Sequence, residues 1–387
     1  MDHDLIGAGR FPRNEIISLL NVNRAFNLAE STSQDLQFGE LLELVGEDTL
    51  RNLHLGYGSA QGLPHLRSEI AAMCNIPPEQ VVTTIGAALA LYLLAIELCR
   101  PNDEVILFTP CFPLSINSMI GAGVMVRELP LSFDDGYAID LNRFEALLSS
   151  KTKLISLATP QNPSGVVTSP ETLEAMLAIM ERIAPRAMLL VDETYRYATY
   201  GNDVTPKSFA GHDPRIISTA SVTKAYGAPG LRVGWMTASD KHLRDRLINA
   251  KMNVVISGSP LNETLAAHLL AKRELVLKPR RRMLAAALKI LVDWQASESG
   301  RIEWVRPNAG ALTCLRLKKD QFNNRMVQHF WEMQAEHNLQ LASGSWFGES
   351  SRVFRLGFGY LPLEILPRAL EVLSDVMTKV QGLSVDS

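Results

Sequence analysis

The stretch SVTKAYGAPGLRVGW, residues 221–235, holds one lysine, Lys224, among small residues, and one arginine, Arg232, eight positions later. The stretch fits a solvated loop that carries charge by chance, and it also fits a site at which the lysine amine forms a covalent bond. An amine that attacks an aldehyde gives a Schiff base, which makes a lysine in such a setting a candidate for covalent chemistry. The rest of the chain decides between the two interpretations.

Composition narrows the class of protein. A chain of 387 residues exceeds the size at which single cores stop growing, so we expect two domains. The formal net charge of −3 gives no general electrostatic reason to bind nucleic acid or an anionic membrane. The longest apolar run, AALALYLLAIEL (87–98), is too short to span a bilayer.

The cysteines and the first residues indicate a reducing compartment. The four cysteines have neither CxxC nor His-rich spacing, so we expect buried thiols and no disulfide framework or metal site. The opening MDHDLIGAGRF is acidic and lacks the basic-then-apolar order of a signal peptide. The sequence therefore predicts a cytoplasmic protein.

Alternating patterns predict the fold. Seven short β-rich runs lie between residues 78 and 238: QVVTTI, DEVILFT, GVMVREL, TKLISLA, AMLLVDE, RIISTAS and RVGWMTA. Segments with helical periodicity separate several of them, such as PETLEAMLAIMERIA (170–184), which has a proline in its first turn. This alternation predicts an α/β fold with a mostly parallel, seven-stranded sheet covered by helices on both faces.

The pattern changes after residue 240 and predicts a second domain. Long helices come first, then the shorter β-like runs GALTCLRL and VFRLGFG, then a last helix over about 362–380. We therefore expect a large cofactor-binding domain (46–280) and a smaller α+β C-terminal domain (281–387). Residues 1–45 are expected to pack on the small domain and to border the substrate entrance.

Small and polar residues follow the predicted strands, where ligands bind on such sheets. Gly86, Ala87 and Ala88 open a helix, and they suit either a plain helix start or a cradle of backbone N–H groups for phosphate. Phe112 fits either a residue of the hydrophobic core or an aromatic face on which a ligand ring stacks. Asp192 is costly to bury without a cation unless it is an N-cap or a surface acid.

These residues together match the needs of a phosphorylated pyridine aldehyde. Such a cofactor needs an amine for a Schiff base, an acid at its ring nitrogen, an aromatic face and a phosphate site. The predicted binding residues are Lys224, Asp192 and Phe112, with Asn162 and Tyr195 for the ring hydroxyl, and Gly86, Ala87, Ala88, Ser221 and Arg232 for the phosphate.

The same motifs resemble the fold-type I pyridoxal phosphate enzymes, specifically the class I/II aminotransferase family, over essentially the whole chain. SVTKAYGAPGLRVGW resembles the lysine motif, VDETYR (191–196) the Asp-x-x-Tyr motif and NPSG (162–165) the Asn-Pro motif. The resemblance implies that Lys224 bonds pyridoxal 5'-phosphate, with Asp192 and Tyr195 as its catalytic partners.

Two further motifs extend the resemblance. YGSAQGLPHLR (57–67) resembles the segment whose tyrosine, here Tyr57, reaches the cofactor phosphate of a neighbouring subunit, which implies a homodimer with shared active sites. RLGFG (355–359) resembles the motif whose arginine, here Arg355, grips the α-carboxylate of an amino acid substrate. A planar bidentate guanidinium suits a carboxylate.

One subgroup of the family shares further sequence motifs with this chain. FGEL (38–41), the lysine motif and the RLGF ending resemble the capreomycidine synthase subgroup, which removes water from a hydroxylated arginine and closes the guanidine into a ring. The segment FNLAESTSQDLQFGEL (26–41) has no Gly-Pro pair of the kind many aminotransferases carry, and it offers Glu30 and Asp35. Glu30 is the candidate contact for a cationic side chain, beside its alternative as a solvated surface acid.

Other classes fit less well. A regulator of this fold is expected to carry a DNA-binding domain, and none precedes Tyr57. A nucleotide-binding oxidoreductase needs Gly-x-Gly-x-x-Gly after its first strand, which IGAALA (85–90) does not supply. The sequence thus leaves two functions, a guanidino amino acid cyclase and an ordinary aminotransferase that passes an amino group to a 2-oxo acid.

Overall fold

The structure is a computed structural model that describes residues 9–17, 19, 22 and 24–383. The start of the predicted N-terminal segment, residues 1–8, lies outside them. The strands are β1 (Phe26–Asn27), β2 (Val81–Thr84), β3 (Glu104–Thr109), β4 (Met125–Pro130), β5 (Thr152–Ala158), β6 (Met188–Asp192), β7 (Ile216–Ser221), β8 (Gly234–Thr237), β9 (Ile302–Val305), β10 (Leu312–Leu317), β11 (Leu339–Gln340), β12 (Ala342–Ser343) and β13 (Val353–Gly357).

A helix follows each of the strands β2 to β5, whereas β6, β7 and β8 come one after another with no α-helix between them. The helices are α1 (Phe38–Val45), α2 (Glu47–Arg51), α3 (Pro64–Cys74), α4 (Gly86–Leu98), α5 (Pro113–Gly121), α6 (Leu141–Leu147), α7 (Pro170–Ile183), α8 (Lys241–Val255), α9 (Pro260–Ala271), α10 (Arg273–Ser297), α11 (Asn324–Glu336) and α12 (Leu366–Gly382). None of the described helices is long and apolar enough to cross a membrane.

The central sheet confirms the predicted fold class. Its seven strands lie in the order β2-β8-β7-β6-β5-β3-β4, and all neighbours are parallel except those of β8. Each of the seven β-rich runs contributes one strand. Because β8 is antiparallel to both β2 and β7, those two strands run in the same direction, and β2, β3, β5, β6 and β7 all end at one edge.

A second sheet lies in the C-terminal part of the chain. It is antiparallel, with the order β12-β13-β10-β9. The N-terminal segment reaches it, since the N–H of Gly357 in β13 donates to the carbonyl of Leu28, and β1 forms a separate two-stranded parallel sheet with β11. The domain limits at residues 45 and 280 stay a prediction.

The last helix begins later than its periodicity predicts. Residues 362–365 form a turn in which the N–H groups of Ile365 and Leu366 donate to the carbonyl of Pro362, and α12 then runs from Leu366 to Gly382. This start leaves Pro367 in the first helical turn, where its missing N–H breaks no helical hydrogen bond.

Helix α7 shows how the sequence fixes a layer of the fold. Leu173, Met176 and Met180 follow helical spacing and share a buried cluster with Ile155 and Leu189 of the sheet. Ser169 ends the preceding loop, and its hydroxyl accepts the N–H of Thr172 at 3.1 Å. Packing and capping therefore agree on where this helix begins.

We predict that Ser169→Ala lowers the free energy of unfolding by about 1 kcal/mol, because the Thr172 N–H loses its acceptor. Urea denaturation monitored by circular dichroism measures the change. Ser169→Asp is the matched control, since aspartate caps helices equally well and keeps the stability near that of the wild type. Equal stability of Ser169→Ala and the wild type would contradict the capping role.

Candidate active site

A cavity of about 630 Å³ opens at the edge where β2, β3, β5, β6 and β7 end. It collects side chains from most of the predicted positions: Ala87, Ala88, Phe112, Asn162, Asp192, Tyr195, Ser221, Lys224, Arg232, Glu30 and Asp35. Gly86, Arg355 and Tyr57 are not among the residues that line it. The site therefore forms from loops after separate strands, with the N-terminal segment as one wall.

Lys224 lies at the centre of a polar contact network. Its Nζ donates to Ser31 Oγ at 3.2 Å, lies 3.6 Å from Glu30 Oε1, and is 5.8 Å from the centre of the Tyr195 ring. The Ser31 hydroxyl also bonds the Tyr195 hydroxyl at 2.9 Å. Ser31 thus links the lysine amine to the tyrosine, so both groups have fixed positions beside the cavity.

Glu30 is ionised in this setting. Burial opposes the charge, but the charges of Lys224 and Arg355 and the hydrogen bond from the Ser31 N–H outweigh it and hold the pKa of Glu30 below its ordinary value. Asp35 shows the opposite shift, since burial and repulsion by Glu30 raise its pKa against the pull of Arg280. One wall of the cavity therefore carries two carboxylates.

Asp192 is a carboxylate that lacks a cation. It ends β6 and accepts the N–H of Thr194 at 2.9 Å, and no ion pair joins it to a lysine or arginine of the described residues. Burial raises the pKa of Asp192, although the hydrogen bonds of Thr194 and the charge of Lys224 oppose the rise. A cation placed in the cavity against this carboxylate would reverse the penalty.

The start of α4 lies against the guanidinium of Arg232. Ile85, the residue before α4, gives no side-chain cap, and the first turn holds no acid, so its N–H groups point to no carboxylate. Gly86 has φ +69°, and a Cβ there would lie 2.4 Å from Arg232 Nη2, so the guanidinium packs directly on the helix start. Helix N–H groups beside a cation suit a phosphate.

Arg355 lies beneath the cavity. It is only 3% exposed, and its two terminal nitrogens donate to Asn162 Oδ1 at 3.0 Å and to the carbonyl of Ala29 at 2.6 Å. Its Nε has no hydrogen-bond partner among the residues that the structure describes. The structure thus brings Arg355 and Asn162 together, and a substrate carboxylate would have to meet the guanidinium where Asn162 now does.

Tyr57 stands apart from the cavity of its own chain. Its side chain is 86% exposed and borders a separate groove of about 370 Å³ formed with residues 255–260. The Tyr57 side chain makes no hydrogen bond or ring contact with another described residue. The role implied for it in a neighbouring subunit stays a prediction.

Several polar residues of the site are not predicted by the sequence motifs. Ser31 contacts Lys224 across 193 positions of the chain, and no local pattern signals such a pairing. Thr32, Thr194, Thr223 and Tyr360 also line the cavity. Thr194 alone had a local signal, because a threonine two residues after a strand-ending aspartate commonly donates its N–H to that carboxylate.

Residues 28–36 are strapped to the lysine loop by backbone hydrogen bonds. The N–H of Ser33 donates to the carbonyl of Lys224, and the N–H of Leu36 donates to the carbonyl of Gly227. Arg280 adds a bond from its Nη1 to the carbonyl of Gln34 at 2.5 Å. This strap keeps Glu30 and Ser31 beside the lysine amine.

The residues present fit pyridoxal phosphate. The free amine of Lys224 suits its aldehyde, the unpaired carboxylate of Asp192 suits its ring nitrogen, and the helix start with Arg232 suits its phosphate. Asn162 and Tyr195 line the cavity between these positions, as donors for the ring hydroxyl. When bound, this cofactor supplies an aldehyde that bonds amines and a ring that accepts electrons from the neighbouring carbon.

Known proteins resemble this chain in sequence and fold. The family model for aminotransferase class I and II matches residues 27–373. Capreomycidine synthase of Streptomyces vinaceus is 30% identical over 355 residues, which cover 90% of this chain and 89% of that protein. A PLP-dependent aminotransferase from Streptococcus suis aligns with a TM-score of 0.87 and 25% identity, over 96% of this chain and 98% of that one. The PLP-dependent cyclase OrfR aligns with a TM-score of 0.83 and 23% identity, over 95% and 98% of the two chains.

We predict that Lys224 bonds the cofactor covalently, because its amine is the one lysine amine that lines the described cavity. Borohydride reduction followed by peptide mass spectrometry should place the label on Lys224. Lys224→Ala should retain cofactor by its phosphate contacts but give no reducible bond and no turnover. A label on any other lysine contradicts the assignment.

We predict that Asp192→Asn lowers turnover by about 10²-fold or more, because a neutral amide cannot hold a proton on the ring nitrogen. Cofactor affinity should fall much less, since the phosphate contacts remain. The unfolding of the cofactor-free protein is the control: the variant should be at least as stable as the wild type, because burial penalises the charge it removes. Unchanged turnover would mean that Asp192 has only a structural role.

Proposed function

This chain belongs to the aminotransferase class I and II family of pyridoxal phosphate enzymes, and from that premise we propose that it removes water from a hydroxylated arginine and closes the guanidine into a ring. The product is a cyclic guanidino amino acid of the capreomycidine or enduracididine type. The net change breaks one C–O bond and one N–H bond, forms one C–N bond and releases one water.

The carboxylate of Glu30 is the observation that carries this proposal. It lies 3.6 Å from Lys224 Nζ and stays ionised, and Asp35 lines the same cavity. The only lysine or arginine side chains that line the described cavity are those of Lys224 and Arg232, both matched to the cofactor. A cationic guanidinium complements this wall, whereas an acidic side chain would be repelled.

Each residue of the site would have a separate role in this reaction. Lys224 Nζ would hold the cofactor and, as a free amine, would take the proton from the substrate Cα and return it to the product. Arg355 and Asn162 orient the α-carboxylate, and Glu30 holds the guanidinium near the lysine amine. Because the guanidine is tethered to the carbon it attacks, ring closure needs little beyond a pocket that folds the side chain back.

A homodimer is part of the proposal. Leu55, Tyr57 and Ile256 are exposed apolar or aromatic side chains around one groove, and such a patch is typical of an interaction surface. A second copy of the chain placed there would receive Tyr57 at its cofactor phosphate. Each cofactor site would then contain residues of both chains.

Amino transfer to a 2-oxo acid is the second candidate. The resemblance in fold to an aminotransferase from Streptococcus suis favours it, and Lys224, Asp192 and Arg355 would serve it equally well. The two reactions would differ after the Cα proton has left the substrate: the cyclase expels the hydroxyl group, whereas the aminotransferase passes the amino group to a 2-oxo acid.

Mass balance separates the two candidates. Purified enzyme is incubated with a panel of amino acids and hydroxylated arginines, with and without a 2-oxo acid, and the products are followed by mass spectrometry. We predict a product that has lost one water from a hydroxylated arginine, with an unchanged nitrogen count and no consumption of the 2-oxo acid. Stoichiometric conversion of the donor to a 2-oxo acid would instead establish an aminotransferase.

We predict that Glu30→Gln weakens binding of arginine more than binding of citrulline, whose urea group is neutral. The loss for arginine should be about 10-fold or more, the scale of one charge-assisted hydrogen bond. Titration of the cofactor absorbance with each amino acid measures both affinities, and citrulline serves as the matched control. An equal loss for both ligands would remove Glu30 from side-chain recognition.

A further inference from the structure

Two ionisable side chains meet inside the protein, away from the cavity. Lys251 of α8 is 0% exposed and Glu263 of α9 is 3% exposed. Lys251 Nζ donates to Thr83 Oγ1 at 3.1 Å, and Thr83 Oγ1 lies 2.5 Å from Glu263 Oε1. One threonine hydroxyl in β2 thus accepts from the lysine and donates to the glutamate. We call Thr83, Lys251 and Glu263 the Thr83 network.

Glu263 also fixes two loops. Its Oε2 accepts the N–H of Leu63 at 2.7 Å, at the start of α3. A Cβ on Gly258 would lie 2.3 Å from Glu263 Oε1, so the backbone of the α8–α9 loop packs directly on the carboxylate. The same carboxylate therefore holds together β2, the segment before α3 and the loop before α9.

Both loops border Tyr57. Gln61 lies along the open edge of β2, where its carbonyl accepts the N–H of Thr83 at 2.9 Å and its side chain donates to the carbonyl of Val81 at 3.0 Å. Gly58 packs on the α8–α9 loop, and a Cβ on it would lie 3.5 Å from the carbonyl of Gly258. The exposed Tyr57 ring thus projects from a surface anchored on both sides by the network.

We propose that the Thr83 network positions Tyr57 for the cofactor phosphate of a second copy of the chain. The inference rests on the shared active site in the proposed function. The network touches neither substrate nor cofactor, so its three members are positioning residues that act through Tyr57.

The burial of the network explains why its loss would change the position of Tyr57. Burial lowers the pKa of Lys251 to about 8, against the pull of Glu263, so the ammonium depends on its few partners. Removing the Thr83 hydroxyl leaves the Lys251 amine and the Glu263 carboxyl group without their shared partner inside the protein, which is costly. The segments that contact Glu263, at Leu63 and Gly258, would shift in response, and both adjoin Tyr57.

The alternative is that the Thr83 network acts on the cofactor site of its own chain. Thr83 lies three residues before Gly86, so a disturbed network could instead act through β2 on the phosphate cradle of its own site. The two routes predict different behaviour in double variants and in hybrid dimers, and the experiment is designed on that difference.

The first test is a double-variant cycle on cofactor affinity, measured by absorbance titration of the cofactor-free protein. Thr83→Val and Tyr57→Phe should each weaken affinity by about 5- to 10-fold, the scale of one hydrogen bond. The double variant should be no weaker than Tyr57→Phe alone. Thr83→Ser, which keeps the hydroxyl, should restore affinity, and Lys251→Met gives a second way to break the network. Additive losses in the double variant would overturn the proposal.

The second test uses hybrid dimers purified through two different affinity tags. The visible absorbance that depends on the bond to Lys224 reports only the site that contains this lysine. In a hybrid of a Thr83→Val chain with a Lys224→Ala chain, that site receives Tyr57 from the chain with an intact network, so we expect wild-type affinity. Weak affinity in this hybrid would show action within the chain and would overturn the proposal.

A hybrid of Tyr57→Phe with Lys224→Ala separates this inference from the proposed function. Recovery of affinity in that hybrid establishes the shared site, whatever the Thr83→Val hybrid does. If it does not recover, the shared site is refuted, and the role of the Thr83 network is refuted with it. Circular dichroism melting curves of each variant confirm that the chains compared are folded.

Discussion

The charge of Asp192 is the constraint on which the arrangement of the site depends. A carboxylate at the end of an inner strand is expensive unless something cationic faces it, and no described lysine or arginine pairs with it. A cation bound in the cavity in front of Asp192 would remove this cost. Lys224, Phe112 and the start of α4 surround the space that such a cation would fill.

The sheet determines how these residues meet. Parallel strands end at one edge, so residues that follow different strands converge there without any long side chain reaching across the fold. The cavity lining includes both signs of charge: Arg232 beside the start of α4, and Glu30 and Asp35 from the N-terminal segment. In the proposed function these groups would receive the anionic phosphate of the cofactor and the cationic side chain of the substrate, respectively.

The sequence predicted the sheet well because each strand is a short apolar, β-rich run next to a turn signal, and such information is local. The motif residues around Lys224 and Asp192 could be predicted for the same reason, because each motif lies within one short stretch of sequence. Ser31 was not, since its contact with Lys224 depends on the path of a distant segment. The pairing of Arg355 with Asn162, and the meeting of Lys251 and Glu263 at Thr83, are likewise products of tertiary packing that no spacing encodes.

The strap of residues 28–36 has a consequence for how this enzyme can change. Its attachments to the lysine loop use backbone N–H and C=O groups, which every residue except proline supplies in full. Glu30 and Asp35, which line the cavity and are not fully buried, can therefore be exchanged while the segment stays in place, whereas Leu28, Ala29 and residues 31–33 are buried and fixed by packing. The attachment of the strap and the charge that it presents to the cavity are thus encoded separately, so this charge can change without a change in the path of the backbone.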